Sequence, residues 1–336
     1  MMPSPEELGL AFLLDGGESA PVIRLGSSDS HGLPTGPVCI AIGAFDGVHR
    51  GHRELLAATV RDARERGAAA LAVTFDPDPD QVLPGTPAPK LMAPADRLGE
   101  LARSGVDGVA VIPFTGELAR LDYRVFLEDV LGRDLDLASI HIGRDFKLGY
   151  QGLGSVGAIS RWSRPRGIDV VAHELVSEGE RTVSATRIRA ALAQGRVEEA
   201  AVLLGRPYML RSRVDAGRGE GSGMGFPTAN LVVSPQIQVP ADGVYEGLAL
   251  VDGTVYPAAV NVGLPPMFAD SSASAHMEAN LIGFTGDLYG RNLSLAFTRF
   301  LRKSRVFLSR DELIRTVRGN IADITADLGR EGVRLK

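Results

Sequence analysis

The sequence predicts an α/β domain with a doubly wound parallel sheet, followed by a β domain that a C-terminal helix completes. Two observations predict the α/β domain. Apolar runs alternate with amphipathic stretches from Pro37 to about Leu175, and Gly67 and Gly105 follow two of these stretches where a helix would end. A third observation predicts the β domain: after Pro207 the apolar runs become short and alternating, with turn residues between them.

At 336 residues the chain has room for two domains, and a hydrophobic content of 44% allows each a packed core. The formal net charge of −5, with both signs mixed along the chain, argues against a general nucleic-acid or anionic-membrane binder. The single cysteine, Cys39, excludes a disulfide framework and a Cys-rich metal site. No apolar run reaches the ~20 residues of a membrane helix, and the first residues lack a secretory signal. We therefore expect a cytoplasmic protein.

The apolar runs of the α/β domain predict buried strands, and the amphipathic stretches predict helices. The predicted strands are VCIAIG, ALAVTF, GVAVIP, ASIHIG and DVVAHEL, and the predicted helices are GHRELLAATVRDARERG, ADRLGELARSG, ATRIRAALAQG and VEEAAVLLG. We place this domain at residues 37–206. Residues 1–36, rich in Gly, Ser and Pro, are expected to form a partly ordered lead-in.

The β domain, residues 207–336, contains four alternating runs that predict an antiparallel sheet or a small barrel. These runs are GVYEGLALV, YPAAVNVG, MEANLIGF and LSLAFTRFL. The amphipathic stretch SRDELIRTVRGNIADITADLG predicts the final helix, and Ser309 with Glu312 three residues later forms the pattern of a capping box.

Two of the six histidines lie together in IAIGAFDGVHRGH, directly after the first predicted strand. A helix that begins near Arg50 would direct its free N–H groups and positive dipole end toward the carboxyl edge of the sheet, which suits phosphate. Gly43 and Gly51 would let a ligand approach the backbone, and His49 and His52 would donate to a phosphoryl group. The same residues could form an ordinary turn or bind a metal, although zinc would require a third protein ligand that is not nearby.

The segment VSATRIR, Val183 to Arg189, lies far downstream at the start of a predicted helix. Ser184 and Thr186 could cap this helix or hold phosphate oxygens. Arg187 and Arg189 could pair with phosphate in a bidentate manner. These residues indicate little by themselves, but together with FDGVHRGH they favour a polyphosphate site.

The β domain carries a second group of candidate residues in GRGEGSGMGFPTANL and MEANLIGF. Backbone N–H groups at Gly219 and Gly221 could close over phosphates, although such glycine-rich runs are often mobile loops. Thr228 and Asn230 lie two apart at the start of a predicted strand and so project to one face, where their oxygen atoms would suit Mg²⁺. Glu278, a carboxylate in an apolar strand, is a candidate general base, the alternative being an exposed glutamate at the rim of the sheet.

The motifs HRGH and SATRIR resemble those of the adenylyl- and cytidylyltransferase superfamily. The stretches GAFDGVHRGH, TFDPDP, IGRDFKLG, VSATRIR and LGRPY are similar to the bifunctional bacterial riboflavin kinase/FMN adenylyltransferase (FAD synthetase) family, and GFPTANL, DGVYEG, NVG and GDLYGR follow the order of its kinase domains. The resemblance covers about residues 37–330. It implies a nucleotidyltransferase-like α/β domain followed by a six-stranded, riboflavin kinase-like barrel.

The resemblance implies that ATP phosphorylates riboflavin to FMN in the barrel and adenylylates FMN to FAD in the α/β domain, with Mg²⁺ and with release of pyrophosphate. The α/β residues it assigns to ATP, its phosphates and the transition state are Gly43, Phe45, Asp46, His49, Gly51, His52, Ser184, Thr186, Arg187 and Arg189. It assigns Asp145, Phe146 and Leu148 to the flavin side. In the barrel it implies that Thr228 and Asn230 bind Mg²⁺-ATP and that Glu278 accepts the proton of the ribityl hydroxyl. The expected partners are small-molecule substrates, and the sequence leaves open whether the chain forms a homo-oligomer.

Several positions differ from the usual residues of the family, most of them in the kinase half. They are Asp78, Leu148, Ser222, Pro265, Met267, Asn280, Gly283 and Asn320. One alternative is therefore a paralogue that transfers a nucleotidyl group to a different phosphorylated acceptor and has an altered or inactive kinase domain. Another is a non-catalytic flavin- or nucleotide-binding regulator, although a pure binder would not require all the candidate catalytic residues.

Overall fold

The computed structural model of the protein describes residues 2–13, 19–26, 32–215, 226–263 and 275–335. The chain forms two compact units. The α/β unit comprises Gly16–Ala88 and Pro94–Ser184, and the barrel unit comprises Met1–Asp15, Pro89–Ala93 and Ala185–Lys336. Within the described residues, no helix is long and apolar enough to cross a membrane.

The α/β unit is built on a central sheet of parallel strands. Its strands are β1 (Val22–Arg24), β2 (Pro37–Ile42), β3 (Ala69–Phe75), β4 (Gly108–Ile112), β5 (Asp136–Gly143), β6 (Lys147–Leu148), β7 (Gly154–Ser155), β8 (Asp169–His173), β9 (Ser177–Glu178) and β10 (Arg181–Thr182). The central sheet has the order β1-β4-β3-β2-β5-β8, and all its neighbours are parallel. Strands β6 and β7, and strands β9 and β10, form two short antiparallel pairs. The predicted doubly wound sheet is confirmed.

Helices pack on this sheet. Helix α1 (Pro5–Ala11) comes first in the chain but belongs to the barrel unit. The helices of the α/β unit are α2 (Arg50–Arg66), α3 (Pro79–Val82), α4 (Pro94–Ala102), α5 (Tyr123–Val125), which continues as a π-helical turn (Phe126–Leu131), and α6 (Val156–Ser163), with single 3₁₀ turns at Asp46–Val48, Leu118–Arg120, Tyr150–Gly152 and Arg164–Arg166. Helix α2 ends at Gly67, whose φ of 65° is left-handed and whose N–H caps the helix, as predicted. Strand β1 lies within the expected lead-in, where three residues are too few for a periodic pattern to appear.

In the described part of the barrel unit, six antiparallel strands close on themselves, and a short seventh strand is added. The strands are β11 (Tyr208–Asp215), β12 (Ala229–Val233), β13 (Gly243–Val251), β14 (Thr254–Val262), β15 (Ala275–Leu281), β16 (Asn292–Arg302) and β17 (Val333–Arg334). The order β13-β16-β11-β12-β15-β14 returns to β13 through the pairing of β13 with β14, and β17 pairs with the start of β14. This closed ring confirms the six-stranded barrel.

Three further helices belong to the barrel unit: α7 (Ala185–Leu192), α8 (Val197–Leu204) and α9 (Arg310–Leu328). Helices α7 and α8, which we predicted as part of the first domain, make hydrogen bonds to barrel residues. The carbonyl oxygen of Leu192 accepts from Ala241 N at 2.9 Å, and the Glu198 carboxylate accepts from Phe300 N at 3.0 Å. The compact units therefore divide at residue 184, whereas the domain boundary at residue 206 stays a prediction.

The N-terminus of α9 has the expected cap in a modified form. Glu312 N donates to Ser309 Oγ at 3.2 Å, as predicted. The Glu312 carboxylate accepts from the N–H of Leu308 at 3.0 Å, one residue before the position a capping box uses. The local pattern thus predicted where the helix begins, although not the second bond.

Candidate active sites

The carboxyl end of β2 lies at the topological switch point of the α/β sheet. Strands β3 and β4 lie on one side of β2, and β5 and β8 lie on the other. Ligands of doubly wound sheets bind in the crevice that this reversal creates at the carboxyl ends of the strands. The loop after β2 and the N-terminus of α2 are therefore positioned where a ligand is expected.

His49 and His52, which we call the histidine pair, stack face to face at the start of α2. Their ring centroids are 3.7 Å apart at an interplanar angle of 15°, and the Phe45 ring meets His52 edge-on at 5.2 Å. Burial lowers the pKa of His52 well below its usual value, and the electrostatic effect of the adjacent His49 ring lowers it further. His52 is therefore neutral at neutral pH, and an anionic ligand beside it would favour its charged, doubly donating form.

The loop between β2 and α2 has an unusual backbone. Phe45 and Val48 have positive φ angles of 54° and 39°, which non-glycine residues adopt mainly where the surroundings impose them, often at functional sites. Asp46, between them, is buried. The N–H of Gly43 extends the sheet by donating to β3 at 3.1 Å. This backbone directs the chain so that the histidine pair stands at the helix end.

Arg97, which was not among the residues predicted from the sequence, fixes the position of this loop through hydrogen bonds. Its side chain, in a residue only 3% exposed, donates to the carbonyl oxygens of Ala44 at 3.1 Å and Phe75 at 2.8 Å. It also pairs with the buried carboxylate of Asp78, so this departure from the family pattern has a charged partner within the chain. The available signal was an arginine on the apolar face of α4, four residues before the buried Leu101.

Gly51 leaves room for the histidine pair, and this yields a testable expectation. A Cβ atom at residue 51 would lie 3.3 Å from Cε1 and Nδ1 of His49, so the ring would have to move by a few tenths of an ångström. We expect Gly51→Ala to lower about tenfold the kcat of the adenylyl transfer that the motifs imply, because small misplacements of reacting groups are costly. We expect no loss of thermal stability, since alanine favours a helix over glycine by about 1 kcal/mol.

The matched control for this variant is Gly157→Ala, because Gly157 also occupies the second position of a helix, α6. A Cβ atom there would meet Arg161 at an ordinary contact distance of 3.6 Å. Steady-state rates and melting temperatures of both variants should be compared. Equal adenylyltransferase activity in the two variants would contradict the tight contact with His49.

The hairpin β9–β10 connects β8 to Ser184 within the α/β unit. Arg50, the first residue of α2, forms an ion pair with Glu178 of β9 at 2.5 Å. The N–H of Val183 donates to the carbonyl oxygen of Val176 at 2.8 Å, which closes the base of the hairpin. The segment that leads to Ser184 is thus joined to the helix end that bears the histidine pair.

Thr186, Arg187 and Arg189 lie on α7, in the barrel unit. Thr186 is exposed and Arg189 is half-buried. Arg187 Nε donates to the carboxylate of Glu199 on α8 at 3.3 Å. Because these residues belong to the other compact unit, their predicted meeting with the histidine pair stays a prediction.

The three residues assigned to the flavin side follow β5 at the carboxyl edge of the sheet. Asp145 is exposed and Phe146 is half-buried. Leu148 is 8% exposed and lies in the hydrophobic core, on strand β6 opposite Gly154. Its buried side chain presents little surface to a flavin ring, so the packing favours a core role for Leu148 and leaves Asp145 and Phe146 as the better candidates.

In the barrel unit, Glu278 lies between two asparagines. It is opposite Asn230 of β12 on one side and opposite Asn261 of β14 on the other. Directly opposed residues of antiparallel strands point to the same face. The chain neighbours of Glu278, Met277 and Ala279, are buried inside the barrel. The three polar side chains therefore form a row on the outer face, the Asn–Glu–Asn row.

Two further residues support this row. Thr228 lies directly before β12, two residues from Asn230. Asn280 is buried, and its Nδ2 donates to the carbonyl oxygen of Pro227 at 2.8 Å, which fixes the segment that carries Thr228. The motif NVG contains Asn261 but carries no signal that singles this residue out. Only the register of β14 against β15 reveals its position.

Some of the remaining predicted or atypical residues lie outside the described part of the chain, and two others, Gly283 and Asn320, lie within it. Gly219 and Gly221, proposed for phosphate binding, lie outside the described residues, as do Ser222, Pro265 and Met267. Gly283 has a φ of +82°, and a Cβ there would lie 2.1 Å from the carbonyl oxygen of Arg330, so the turn requires glycine. Asn320 accepts from Arg302 Nε at 3.1 Å. These last two substitutions fit their surroundings in this chain and leave the Asn–Glu–Asn row intact.

Each unit thus offers one candidate site for phosphoryl chemistry, which is the arrangement that a bifunctional transferase requires. Residues 34–187 match the family model of FAD synthetase, and residues 204–328 match that of riboflavin kinase. The bifunctional riboflavin kinase/FMN adenylyltransferase of Pseudomonas fluorescens is 33% identical over 285 residues, which cover 84% of this chain and 91% of the relative. Its counterpart in Bacillus subtilis (strain 168) is 32% identical over 282 residues, 82% of this chain and 87% of the relative.

A solved structure is also similar. It is described as a macrolide-efflux protein from Streptococcus pneumoniae, with a TM-score of 0.80, 28% identity and coverage of 90% of this chain and 97% of that chain. The present chain belongs to the bifunctional riboflavin kinase/FMN adenylyltransferase family. It is an enzyme with riboflavin kinase and FMN adenylyltransferase activities. The family predicted from the motifs is confirmed, and the two alternatives are not favoured.

Proposed function

We propose that the histidine pair and the N-terminus of α2 bind the triphosphate of ATP during adenylyl transfer. A phosphate oxygen of FMN attacks the α-phosphorus of ATP, and the bond from that phosphorus to the bridging oxygen of the β-phosphate breaks. Pyrophosphate leaves, and FAD is formed. Negative charge grows on the leaving oxygen, where the imidazoles and the free N–H groups of the helix end can stabilise it. No protein nucleophile is required.

The other candidate residues of the α/β half would complete this site. Ser184, Thr186, Arg187 and Arg189 would hold the β- and γ-phosphates that leave as pyrophosphate. A role for Ser184 is supported by the hairpin that joins its segment to Arg50 at the start of α2. Asp145 and Phe146 would border the flavin and its phosphate, as the two accessible candidates after β5.

In the barrel, we assign riboflavin phosphorylation to the Asn–Glu–Asn row. Glu278 would accept the proton of the ribityl hydroxyl as its oxygen attacks the γ-phosphorus of ATP, and ADP would leave. The flanking Asn230 and Asn261 can donate to the carboxylate or to phosphate oxygens and so orient both. Glu278 is half-buried on the outer face, and this partial exposure supports its contact with a substrate there.

The donor set of the barrel fits Mg²⁺. Thr228 and Asn230 supply neutral oxygens beside one carboxylate, and Mg²⁺ is commonly held by few protein oxygens together with substrate phosphates. Among the residues that the structure describes, no cluster of three or more His, Cys, Asp or Glu could hold a metal alone. When bound with ATP, Mg²⁺ would neutralise phosphate charge. The charges of both signs mixed along the chain and the single, buried Cys39 support a cytoplasmic enzyme with small-molecule substrates.

The observation that carries the adenylyl-transfer proposal is the stacked histidine pair at the helix end of the switch point. We expect purified protein with riboflavin, ATP and Mg²⁺ to accumulate FMN and then FAD, and chelation by EDTA to stop both steps until Mg²⁺ is restored. Products should be identified by mass, with other phosphorylated acceptors in parallel. Failure to form either flavin product at micromolar enzyme, or faster transfer to another acceptor, would contradict the proposal.

A further inference from the structure

A hydrogen-bonded network lies against α2, away from the histidine pair, with its central residue His141 buried and its outer residues Asp62 and His173 half-buried. The Asp62 carboxylate, on α2, accepts from Ser139 Oγ at 2.6 Å and bonds His141 Nε2 at 2.9 Å. His141 Nδ1 in turn lies 2.9 Å from Nε2 of His173. Ser139 and His141 are on β5, and His173 is the last residue of β8. We call Asp62, His141 and His173 the buried network.

The chemistry of these groups sets the direction of every bond in the network. Burial acts to raise the pKa of Asp62, but hydrogen bonds to its carboxylate outweigh burial and hold that pKa well below its usual value. An ionised carboxylate only accepts, so His141 carries its proton on Nε2. Burial lowers the pKa of His141 and of His173. Neutral His141 therefore accepts at Nδ1, and His173 donates from Nε2.

The network joins α2, β5 and β8, and each of these elements leads into a segment that borders the proposed adenylyl-transfer site. Helix α2 bears the histidine pair at its N-terminus and Asp62 further along. The carbonyl oxygen of His173 accepts from Arg144 N at 3.0 Å, so the same residue holds the loop that contains Asp145 and Phe146. Three residues after His173 the chain reaches Val176, at the base of the hairpin joined to the start of α2.

We propose that the buried network consists of positioning residues that set the acceptor loop 144–146 relative to α2. None of the three side chains contacts substrate in this proposal. The separation between an attacking phosphate and the phosphorus it attacks must be held within fractions of an ångström, and side chains fixed by directed hydrogen bonds provide such rigidity. The inference rests on the proposed placement of FMN beside Asp145 and Phe146.

The test compares His173→Leu with His173→Gln. Leucine removes the donor, whereas the Nε2 of glutamine can reach the position of the imidazole Nε2 and donate to His141. We expect His173→Leu to raise the KM for FMN about tenfold while the KM for ATP and riboflavin kinase activity change less than twofold. We expect His173→Gln to restore most of the lost affinity. Asp62→Asn should also raise the KM for FMN, because it replaces an acceptor-only group.

Two further variants separate the network from the acceptor site itself. If Asp145→Ala and Phe146→Ala raise the KM for FMN but His173→Leu does not, the network has no positioning role and the acceptor placement stands. If none of these variants changes the KM for FMN, the acceptor placement is wrong and the inference fails with it. Equal increases in both KM values, with a lowered melting temperature and no rescue by glutamine, would indicate general destabilisation and overturn the proposal.

Discussion

Replacing His52 with alanine is expected to reduce FMN adenylyltransferase activity by about 10²- to 10³-fold and to leave riboflavin kinase activity unchanged. The His52 ring stacks on His49 and meets Phe45 edge-on, so its position is set by both neighbours. Its removal deletes one hydrogen-bond donor and frees the His49 ring to move. Residues 204–328, which match riboflavin kinase, lie in the other compact unit, so the kinase rate serves as an internal control for folding.

Two conservative variants test which ring nitrogen of His52 donates a hydrogen bond to the substrate. Nδ1 is buried and has no hydrogen-bond partner among the residues that the structure describes, which leaves Nε2 to meet a ligand. Glutamine places its amide nitrogen near the position of Nε2, and asparagine places it near Nδ1. We therefore expect His52→Gln to keep more adenylyltransferase activity than His52→Asn. Equal loss of both activities in His52→Ala, or retention of adenylyltransferase activity within tenfold, would contradict the role assigned to this residue.

The start of α2 and its place in the sheet could be predicted because their signals are local. An apolar run, glycines and an amphipathic stretch follow one another within about 30 residues, and chain order alone puts the loop at the carboxyl end of β2. The cap at Ser309 was predictable for the same reason. The β1 strand was not, because three residues between turns carry no period.

The packing around the histidine pair could not be predicted, since it depends on residues distant in sequence. Arg97 reaches the loop from a separate helix, and Leu148 is drawn into the core by the pairing of β6 with β7. The buried network combines residues from one helix and two strands. Nothing in the sequence near Asp62 indicates that β5 and β8 will place two histidines beside it.

Strand register accounts for what sequence reasoning missed in the barrel. The alternation of MEANLIGF predicts that Glu278 faces away from its neighbours, but it does not identify the partners across the sheet. The pairing of β15 with both β12 and β14 places one asparagine on each side. The candidate base is therefore part of a polar row, which is the more telling observation for a role in catalysis.

Glu278→Gln is expected to lower riboflavin kinase activity by about 10²- to 10⁴-fold, the range that a positioned general base commonly contributes. The amide is nearly isosteric with the carboxylate but cannot accept a proton at neutral pH. Stability should change little, because the side chain is only half-buried on the outer face of the barrel. Adenylyl transfer to supplied FMN should be unaffected, so the variant protein should form FAD from FMN but not from riboflavin.

The matched control is Glu246→Gln, a second strand glutamate in the same barrel with a structural environment. Glu246 is buried, and its carboxylate accepts from Thr298 Oγ1 and Arg299 Nη2, each at 2.9 Å. Loss of that charge should destabilise the barrel by about 1–3 kcal/mol and lower the melting temperature. Kinase kcat per folded molecule should then stay close to wild type. If Glu278→Gln instead resembles this control, with a lowered melting temperature and a retained kcat, Glu278 is a structural residue and the proton acceptor of the kinase reaction lies elsewhere.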